Sequence, residues 1–412
     1  MRIIMVTLGS VGDINPFIWM GRVLSKGGHQ LIFLTNPFYE KLITSEGFEF
    51  HPIGTVDDYY IATTPAVTTG NKFKDKGEGI KAVKRLFNYL YLKPSKDIYD
   101  IVTRLKTPDT LILNHFCVYG AKIAAEKLKI RNININLSPH WLRTFMATDG
   151  FSALTVNKMV KIINSFTDNQ LLKKTINNVR GELGLHPLKK SSVEWMFEGI
   201  NWSLFPDWLL KFKLSDSIYN DFVGFPESLK GESDLPDNVM NFLKTHEKPI
   251  LFTPGTAFRN NGKFFKEAVF TLEKMSKPGI FLTKFKDVLP EKLPDNIIHA
   301  EYLPLEQLLD KCCAIVHHGG IGTCYEALKA GIPQVICYRM DEQRENSHAI
   351  KALGVSKELP FDCVDSKLLS ESLQLIHSND VLAKCNEISE KLQRECSERN
   401  LLICMEKVQG MR

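Results

Sequence analysis

The chain has 412 residues, which at about 150 residues per domain suits two or three domains and is too long for one small module. Hydrophobic residues make up 44% and charged residues 24%, an ordinary globular usage that excludes a mostly disordered, collagen-like or coiled-coil protein. The formal net charge of +5 is too small and too dispersed to indicate a nucleic-acid-binding protein. Phosphate-bearing small molecules stay open as ligands.

The composition also bears on location. The 9 cysteines show no paired C-x-x-C spacing, so neither a disulfide nor a zinc framework is indicated. The N-terminal segment Met1–Thr7 is too short an apolar run for a signal peptide, and no stretch reaches the roughly 18 apolar residues that span a bilayer. We expect a reducing, cytoplasmic setting.

Short apolar runs alternate with longer segments of helical period, which is the pattern of parallel strands joined by crossover helices. The predicted strands of a first sheet are Ile3–Val6, Leu31–Leu34, Leu111–Leu113 and Ile133–Leu137, with helices predicted at Pro16–Lys26 and Tyr119–Lys129. The predicted strands of a second sheet are Ile250–Thr253, Ile280–Thr283, Ala314–Val316 and Gln334–Cys337. Two doubly wound α/β units are therefore expected.

A segment rich in proline, glycine, serine and acidic residues, Pro226–Asp237, reads as an interdomain linker. This places a first domain at 1–226 and a second at 227–390. The charged tail at 391–412 has helical spacing, and it either ends the second domain or packs back on the first.

The most specific motif is His317-His318-Gly319-Gly320-Ile321-Gly322-Thr323, between a predicted strand and a predicted helix. Glycines let the backbone approach a ligand closely, and the first turn of a helix offers free N–H groups and a positive dipole end. We expect a diphosphate there, with hydrogen bonds from the His317 imidazole and the Thr323 hydroxyl. The alternative is a tight turn with one core histidine.

A carboxylate and an amide, Glu342 and Gln343, follow the next predicted strand after a short loop. Together they suit the vicinal hydroxyls of a sugar, since ligands of such sheets bind at the carboxyl ends of the strands. Taken alone, the run 341–345 is more typical of a solvated loop, and the glycine motif nearby is what favours a sugar contact.

Another glycine loop, Gly9-Ser10-Val11-Gly12-Asp13, directly follows the first predicted strand. Asp13 is a candidate general base, and it equally suits a helix N-cap because Pro16 fits the first turn of a helix. The sequence contains no D-x-D triplet, so no carboxylate pair indicates a divalent metal.

The G-S-x-G-D-x-x-P loop, the H-H-G-G-x-G-T loop and the run E-Q-x-x-N at 342–346, in that order, resemble the inverting family-1-type glycosyltransferases of GT-B fold. Within that class the chain most resembles the bacterial rhamnosyltransferases of rhamnolipid synthesis, over nearly its whole length. The resemblance implies two Rossmann-like domains that face each other across a cleft, a nucleoside-diphosphate sugar as co-substrate, and neither a cofactor nor a metal.

The resemblance also implies roles for individual residues. It makes Asp13 the catalytic base, where many relatives have His, and it assigns the acceptor to the first domain. The implied donor-binding residues are Gly12, Thr253, Gly255, Thr256, Tyr302, Leu303, His317, Gly319, Gly320, Gly322, Thr323, Glu342 and Gln343. The implied acceptor-binding residues are His140, Trp141, Phe145 and Trp195.

Two departures from the pattern matter. Relatives with a histidine base orient it with an aspartate near the end of a later strand, whereas Asn114 stands at the matching place here. An aspartate base needs no partner to set its tautomer, so Asp13 is expected to act alone. Asp341 competes with Glu342 for the sugar contact.

All the tryptophans precede the linker, and with nearby phenylalanines they suit an apolar cleft for a lipid-like or natural-product acceptor, or plain core packing. In the segment 72–90, three lysines precede apolar residues at helical spacing that have further basic residues between them, which suits an anionic membrane surface or a solvated surface helix. The expected function is transfer of a hexose or deoxyhexose to a hydrophobic hydroxyl acceptor. The alternatives are a non-catalytic nucleotide-sugar-binding partner of another transferase and a sugar-nucleotide epimerase. The oligomeric state is left open.

Overall fold

The computed structural model describes residues 1–60, 93–146, 172–227, 234–255 and 262–411. The chain divides into two compact units: Met1–Glu227 with Ser397–Arg412, and Ser228–Cys396. The division at Glu227 falls within the segment that was expected to be a linker.

The first unit is built on a parallel sheet of seven strands in the order β3-β2-β1-β4-β5-β6-β7. Its strands are β1 (Arg2–Val6), β2 (Gln30–Thr35), β3 (Glu49–Pro52), β4 (Leu111–His115), β5 (Arg131–Asn136), β6 (Ile200–Ser203) and β7 (Tyr219–Phe222). Its helices are α1 (Val11–Lys26), α2 (Glu40–Ser45), α3 (Ser95–Leu105), α4 (Tyr119–Leu128), α5 (Lys174–Glu182) and α6 (Ser192–Met196). Because β1 lies between β2 and β4, the segments that follow these three strands meet at one edge of the sheet.

The first helix starts earlier than predicted. It begins at Val11, not at Pro16, because Ser10 adopts extended backbone angles and its carbonyl accepts the first helical N–H groups, from Asp13 and Ile14. Pro16 lies inside α1, where its missing N–H removes one hydrogen bond close to the helix start.

The second unit has a parallel sheet of six strands in the order β10-β9-β8-β11-β12-β13. These strands are β8 (Ile250–Thr253), β9 (Gly279–Leu282), β10 (Ile297–Ala300), β11 (Ala314–His317), β12 (Gln334–Tyr338) and β13 (Ser356–Pro360). The helices are α7 (Asp237–Thr245), α8 (Gly262–Met275), α9 (Leu305–Leu308), α10 (Ile321–Lys329), α11 (Asp341–Ala352), α12 (Ser366–Ile376) and α13 (Asn379–Arg394).

Both faces of the second sheet are covered. In β11, Ala314 and Val316 pack into the cluster that contains α8 and α12, whereas Ile315 packs into the cluster that contains α7 and α10. Alternate side chains of a strand point to opposite faces, so both clusters are buried by helices. The prediction of two doubly wound parallel-sheet units is confirmed.

The last helix, α14 (Ser397–Gly410), packs on the first unit, one of the two alternatives that the sequence left open. Arg131 donates to the Val408 carbonyl over 2.6 Å, and Lys407 pairs with Asp221 at 2.7 Å. Leu401 and Met405 of this helix are buried. The first unit therefore consists of two separate stretches of the chain.

Candidate active site

Asp13 lies in the first turn of α1, directly beyond β1. The Ser10 N–H and hydroxyl both donate to Asp13 Oδ2, over 2.6 and 2.9 Å, and the Thr7 hydroxyl donates to the Asp13 carbonyl oxygen over 2.9 Å. Gly9 has φ +139°, and a Cβ at this position would lie 2.3 Å from Asp13 Oδ2, so the loop requires glycine. The carboxylate is thus held half-buried at the carboxyl end of β1.

The N-cap alternative for Asp13 needs a correction. Ser10 is the N-cap, and Asp13 occupies the third helical position, where its side chain reaches back to the Ser10 N–H. Both hydrogen bonds end on Oδ2, and within the described residues no group donates to Oδ1. Capping the helix therefore leaves one carboxylate oxygen of Asp13 open to a substrate.

A histidine that the sequence analysis missed lies beside Asp13. His115, the last residue of β4, is buried; its ring lies edge-on to Phe17, one helical turn after Asp13, at 6.4 Å. Burial lowers the pKa of His115, while the Asp13 charge and the Leu8 carbonyl oppose that shift. Its Nδ1 has no hydrogen-bond partner. The sequence feature that could have identified His115 is a polar residue at the end of a buried strand.

Asn114 lies in β4 opposite Val6 of β1 and is fully buried. Its amide donates to the His115 carbonyl over 3.0 Å, and its Oδ1 has no partner. His115 is a second ionisable group beside Asp13, and the expectation that Asp13 acts alone stays a prediction.

Three of the four predicted acceptor residues share one aromatic cluster. The ring of Trp141 lies 5.0 Å from His140 and 5.4 Å from Phe116, and Phe197 lies 5.7 Å from Phe116 and 4.9 Å from Phe145. His115 contacts the same cluster through Phe116 at 5.5 Å. The cluster thus extends from His115, with Phe116 and Phe197 buried and with Trp141 and Phe145 half-buried.

Trp195, the fourth predicted acceptor residue, has mainly internal contacts. Its indole N–H donates to Glu126 over 3.2 Å, and the Arg180 guanidinium lies 5.3 Å from its ring centre. Arg180 also binds Glu126 through two hydrogen bonds of 2.6 and 2.9 Å, which fixes α5 against α4. Trp195 is buried, and a role in acceptor binding stays a prediction.

In the second unit, His317 makes its contacts inside the fold, and the expected phosphate contact from this side chain stays a prediction. The side chain is fully buried; its Nε2 bonds Gln334 at 2.9 Å, and its Nδ1 accepts from the Gly319 N–H over 3.2 Å. Burial, with a smaller effect of neighbouring His318, lowers the pKa of His317 to about 3. Since both nitrogens are occupied, His317 holds the loop, as the core-histidine alternative proposed.

His318 is the histidine of this pair with a ring nitrogen that lacks a hydrogen-bond partner. Its side chain is half-buried and its Nδ1 has no partner. Burial, with a smaller effect of the Arg339 charge, lowers its pKa to about 4. A Cβ built on Gly255 would lie 2.8 Å from Nδ1, and one built on Gly320 would lie 2.7 Å from Nε2. The imidazole therefore lies between the loops that follow β8 and β11.

The glycine motif leads into α10 as predicted from sequence. Gly319 has φ +90° and Gly320 is the N-cap, so the free N–H groups are those of the first turn, at Ile321, Gly322 and Thr323. Gly322 is exposed, and nothing lies within 4 Å of the position of its missing Cβ. Backbone donors are therefore available to an anion there.

The carboxylates expected in a loop belong to a helix instead. The run at 341–345 forms the start of α11, because the Gln343 amide oxygen accepts the N–H groups of Arg339 and Met340 over 2.9 and 3.2 Å. Gln343 is buried and also contacts Gly319, whereas Asp341 and Glu342 are exposed. The Gln343 oxygen is therefore not free for a sugar, and the choice between Asp341 and Glu342 stays open.

The other expected donor contacts are distributed as follows. Thr253 ends β8 beside His317 of β11, and its hydroxyl accepts from the Gly255 N–H at 3.5 Å. Tyr302 is 71% exposed, whereas the Leu303 side chain is buried in the core, which leaves only its backbone for a ligand. Thr256 and the lysine-rich segment 72–90 lie outside the described residues.

The described ranges of the chain contain neither a candidate metal centre nor a candidate membrane-spanning helix. No three His, Cys, Asp or Glu side chains in these ranges come close enough together to hold a metal ion. None of the helices found in these ranges has the length and apolar character that crossing a bilayer needs.

The two units match two known glycosyltransferase domains. Residues 3–147 match the glycosyltransferase family 28 N-terminal domain, and residues 268–399 match the C-terminal domain of proteins like erythromycin biosynthesis protein CIII. Among solved structures, a glycotransferase of kitacinnamycin superposes with a TM-score of 0.73 at 16% identity, covering 98% of both chains. The spinosyn rhamnosyltransferase superposes with a TM-score of 0.68 at 17% identity, covering 98% of this chain and 100% of that one. The fold is GT-B.

Curated relatives carry matching names. A sterol 3-beta-glucosyltransferase of Arabidopsis thaliana is 23% identical over 96% of this chain, which spans 63% of that protein. An NDP-glycosyltransferase of Bacillus subtilis is 22% identical over 92% of this chain and 90% of its own length. The chain therefore contains domains found in glycosyltransferases, a family 28 N-terminal domain and an EryCIII-like C-terminal domain, on a GT-B fold.

Proposed function

We propose that this glycosyltransferase moves a hexose or deoxyhexose from a nucleoside-diphosphate sugar to a hydroxyl group of a hydrophobic acceptor, with inversion and without a metal ion. The second unit binds the donor and the first unit binds the acceptor. The observation that carries the proposal is Asp13, a carboxylate fixed through one oxygen and open at the other.

The leaving group is stabilised by the start of α10. The N–H groups of its first turn and the positive end of its dipole face an anion, and His318 adds a ring nitrogen from the side of Gly255. Fixed dipoles of this kind stabilise charge that develops during the reaction, which is the task that a metal ion performs in other transferases.

The acceptor is activated by Asp13. As the acceptor oxygen forms a bond to the anomeric carbon, its proton passes to Asp13 Oδ1. The bond between the anomeric carbon and the diphosphate oxygen breaks on the opposite face, and the nucleoside diphosphate leaves with the electron pair. General-base catalysis of this type contributes about 10²–10⁴-fold. His115 lies next to the carboxylate that gains the proton.

The substrate classes rest on the aromatic cluster and on the relatives. The cluster around Phe116 and Trp141 brings aromatic side chains together at the carboxyl end of β4, which supports a hydrophobic acceptor. The names of the relatives include sterol, spinosyn and rhamnosyl transfer, which supports a lipid or natural-product acceptor and a donor such as a deoxyhexose. A specific resemblance to the rhamnosyltransferases of rhamnolipid synthesis is part of what we propose.

Asp13→Asn tests the proposal. The amide keeps the size of the side chain but cannot take up the proton, so transfer should fall by at least about 10²-fold. The affinity for the nucleoside diphosphate should stay within a few-fold of wild type. Asp216→Asn, at an exposed aspartate of the same unit, is the matched control and should keep full activity. Undiminished transfer by Asp13→Asn would remove Asp13 from the mechanism.

Three further measurements test the donor, the epimerase alternative and the inversion of configuration. A panel of nucleotide sugars in a thermal-shift assay identifies the donor, since binding to the folded state raises Tm by mass action. A panel without any shift would contradict donor binding. Incubation of the donor without acceptor, followed by NMR of the sugar, tests for an epimerase, which would isomerise it. The anomeric configuration of a transferred sugar tests inversion.

A further inference from the structure

A second aromatic cluster lies on the other side of the Asp13 loop, at the end of β2. It consists of Phe38, Tyr39, Tyr59 and Tyr60, and we call it the aromatic wall. Phe38 and Tyr59 are stacked with ring centres 4.4 Å apart and planes 15° from parallel. Tyr60 lies edge-on to Phe38 at 6.0 Å, and Tyr39 lies edge-on to both Phe38 and Tyr59.

The aromatic wall is connected to the loop that holds Asp13. The Tyr39 hydroxyl donates to the Gly9 carbonyl over 3.0 Å and lies 3.3 Å from the Tyr59 hydroxyl. Burial, with a contribution from the Asp13 charge, raises the pKa of Tyr39, so this hydroxyl stays a donor. The wall is therefore within two hydrogen bonds of the backbone that positions the proposed base.

Hydrogen bonds also fix the two segments that form the wall. Asn36 accepts the Phe38 N–H and donates to the Thr55 carbonyl over 2.8 Å, which ties the segment after β2 to the start of the helical turn at 56–60. Buried Asp58 accepts from the Thr55 N–H and hydroxyl and from Lys93. The rings are consequently held in place before any ligand binds, which lowers the entropy lost on binding.

Two rings of the wall are exposed, while Tyr59 is half-buried and Tyr39 is buried. Phe38 is 42% and Tyr60 is 51% exposed, whereas Tyr39 is 3% exposed. A cluster of aromatic rings open to water, on a rigid support next to a proposed base, is typical of a binding surface.

We propose that Phe38, Tyr59 and Tyr60 bind the acceptor by stacking on it, and that the acceptor is accordingly a planar ring system and not a flexible chain. This inference rests on the proposed function and narrows its acceptor class. Stacked or edge-on rings gain attraction beyond the area that they bury, and a saturated chain gains only the area. A hydroxyl on such a ring system is presented on the Asp13 side, because Tyr39 joins the wall to Gly9.

The test measures binding of 4-methylumbelliferone, a planar fluorescent phenol, to the full chain. Phe38→Leu and Tyr60→Leu keep an apolar side chain and remove the ring. Each should raise Kd for this probe about three- to tenfold, as expected for one lost aromatic contact. Tyr219→Leu is the matched control, since this exposed tyrosine lies on β7 at the opposite edge of the same sheet. The Kd of this variant for the probe should equal that of wild type.

Two comparisons make the result unambiguous. n-Decanol should displace the probe poorly, and the Kd of each variant for the nucleoside diphosphate should equal that of wild type. Unchanged probe binding in both wall variants, absent probe binding in wild type, or preferential binding of n-decanol would overturn the inference. If the wild-type chain does not bind the nucleoside diphosphate, that result counts against the proposed function instead.

Discussion

Ser10 donates twice to Asp13, through its backbone N–H and through its hydroxyl, and both hydrogen bonds end on Oδ2. The start of α1 therefore orients the carboxylate before any substrate binds. The same contact serves the fold, since it caps the helix, and the proposed chemistry, since it aims Oδ1 away from the cap. Because Asp13 both caps α1 and is the proposed base, the stability of α1 and the position of the carboxylate depend on the same hydrogen bonds.

Gly9→Ala should displace this carboxylate. The added Cβ would lie 2.3 Å from Asp13 Oδ2, at a φ of +139° that side chains rarely adopt. Because a shift of about 1 Å in a catalytic group costs about 10²-fold, we expect kcat to fall by that order with an unchanged Kd for the nucleoside diphosphate. Gly181→Ala, where nothing lies within 4 Å, is the control. Full activity of a folded Gly9→Ala protein would contradict this account of the loop.

His318→Ala and His317→Ala should have different effects. Loss of His318 should raise Kd for the nucleoside diphosphate about tenfold to a hundredfold, as for one hydrogen bond to a charged group. Loss of His317 should mainly lower Tm, because Gln334 and the Gly319 N–H lose their partner inside the core. Calorimetric titration and thermal unfolding of both variants check this. The reverse pattern would restore His317 as the ligand contact.

Gly322→Ala separates binding from folding. Open space surrounds the missing Cβ and Gly322 is helical, so alanine should leave Tm unchanged or raise it slightly. A diphosphate placed against this turn would meet the new methyl group, and Kd should rise several-fold. An equal Kd in calorimetry would show that the anion does not approach the first turn of α10.

The buried histidines predict how stability depends on pH. The folded-state pKa values of His317 and His318 are about 3 and about 4, below the ordinary value of 6.5. At pH values between the folded-state pKa and 6.5, these histidines bind protons in the unfolded chain but not in the folded chain. The unfolding free energy therefore falls as the pH falls below 6.5. Each histidine contributes up to about 1.4 kcal/mol per pH unit. Unfolding free energies measured from about pH 7 to pH 5 should therefore show a smaller slope in His318→Asn; equal slopes would contradict the lowered pKa.

Glu126→Gln should weaken the junction of α4 and α5. The Arg180 hydrogen bonds lower the pKa of Glu126, and the amide replaces a charged partner of a buried guanidinium. Because Glu126 is itself 40% exposed, we expect a loss of about 1–2 kcal/mol, less than for a fully buried pair. Chemical denaturation measures the loss. Glu182→Gln on the same helix pair is the control, and a smaller loss for Glu126 than for this control would contradict the assignment.

The sequence was sufficient for the architecture because the central strands are continuous apolar runs. β1, β4, β8 and β11 were predicted within one or two residues, whereas β3 and β7 at the sheet edge were not, because Glu49–Pro52 and Tyr219–Phe222 are largely polar or exposed. Edge strands are buried on fewer sides, so they carry a weaker apolar pattern.

The sequence predicted which loops form the candidate site, but not which side chains of those loops are placed to contact a ligand. The glycine spacing identified both loops, but the choice between adjacent histidines depends on side-chain direction. His317 continues the alternation of β11 and points to the face of Ile315, which buries it, whereas His318 lies beyond the strand. His115 and the aromatic wall come from segments far apart in sequence, which only the sheet order β2-β1-β4 brings to Asp13.

Since α14 completes the first unit, that unit cannot form in full while the nascent chain is still being translated through residue 396. Until Leu401 and Met405 emerge from the ribosome, the apolar surface that they cover stays exposed to water. A fragment that stops at residue 227 would leave the same surface exposed, so recombinant production of the first unit requires that α14 be joined back to it, for example through a circular permutation.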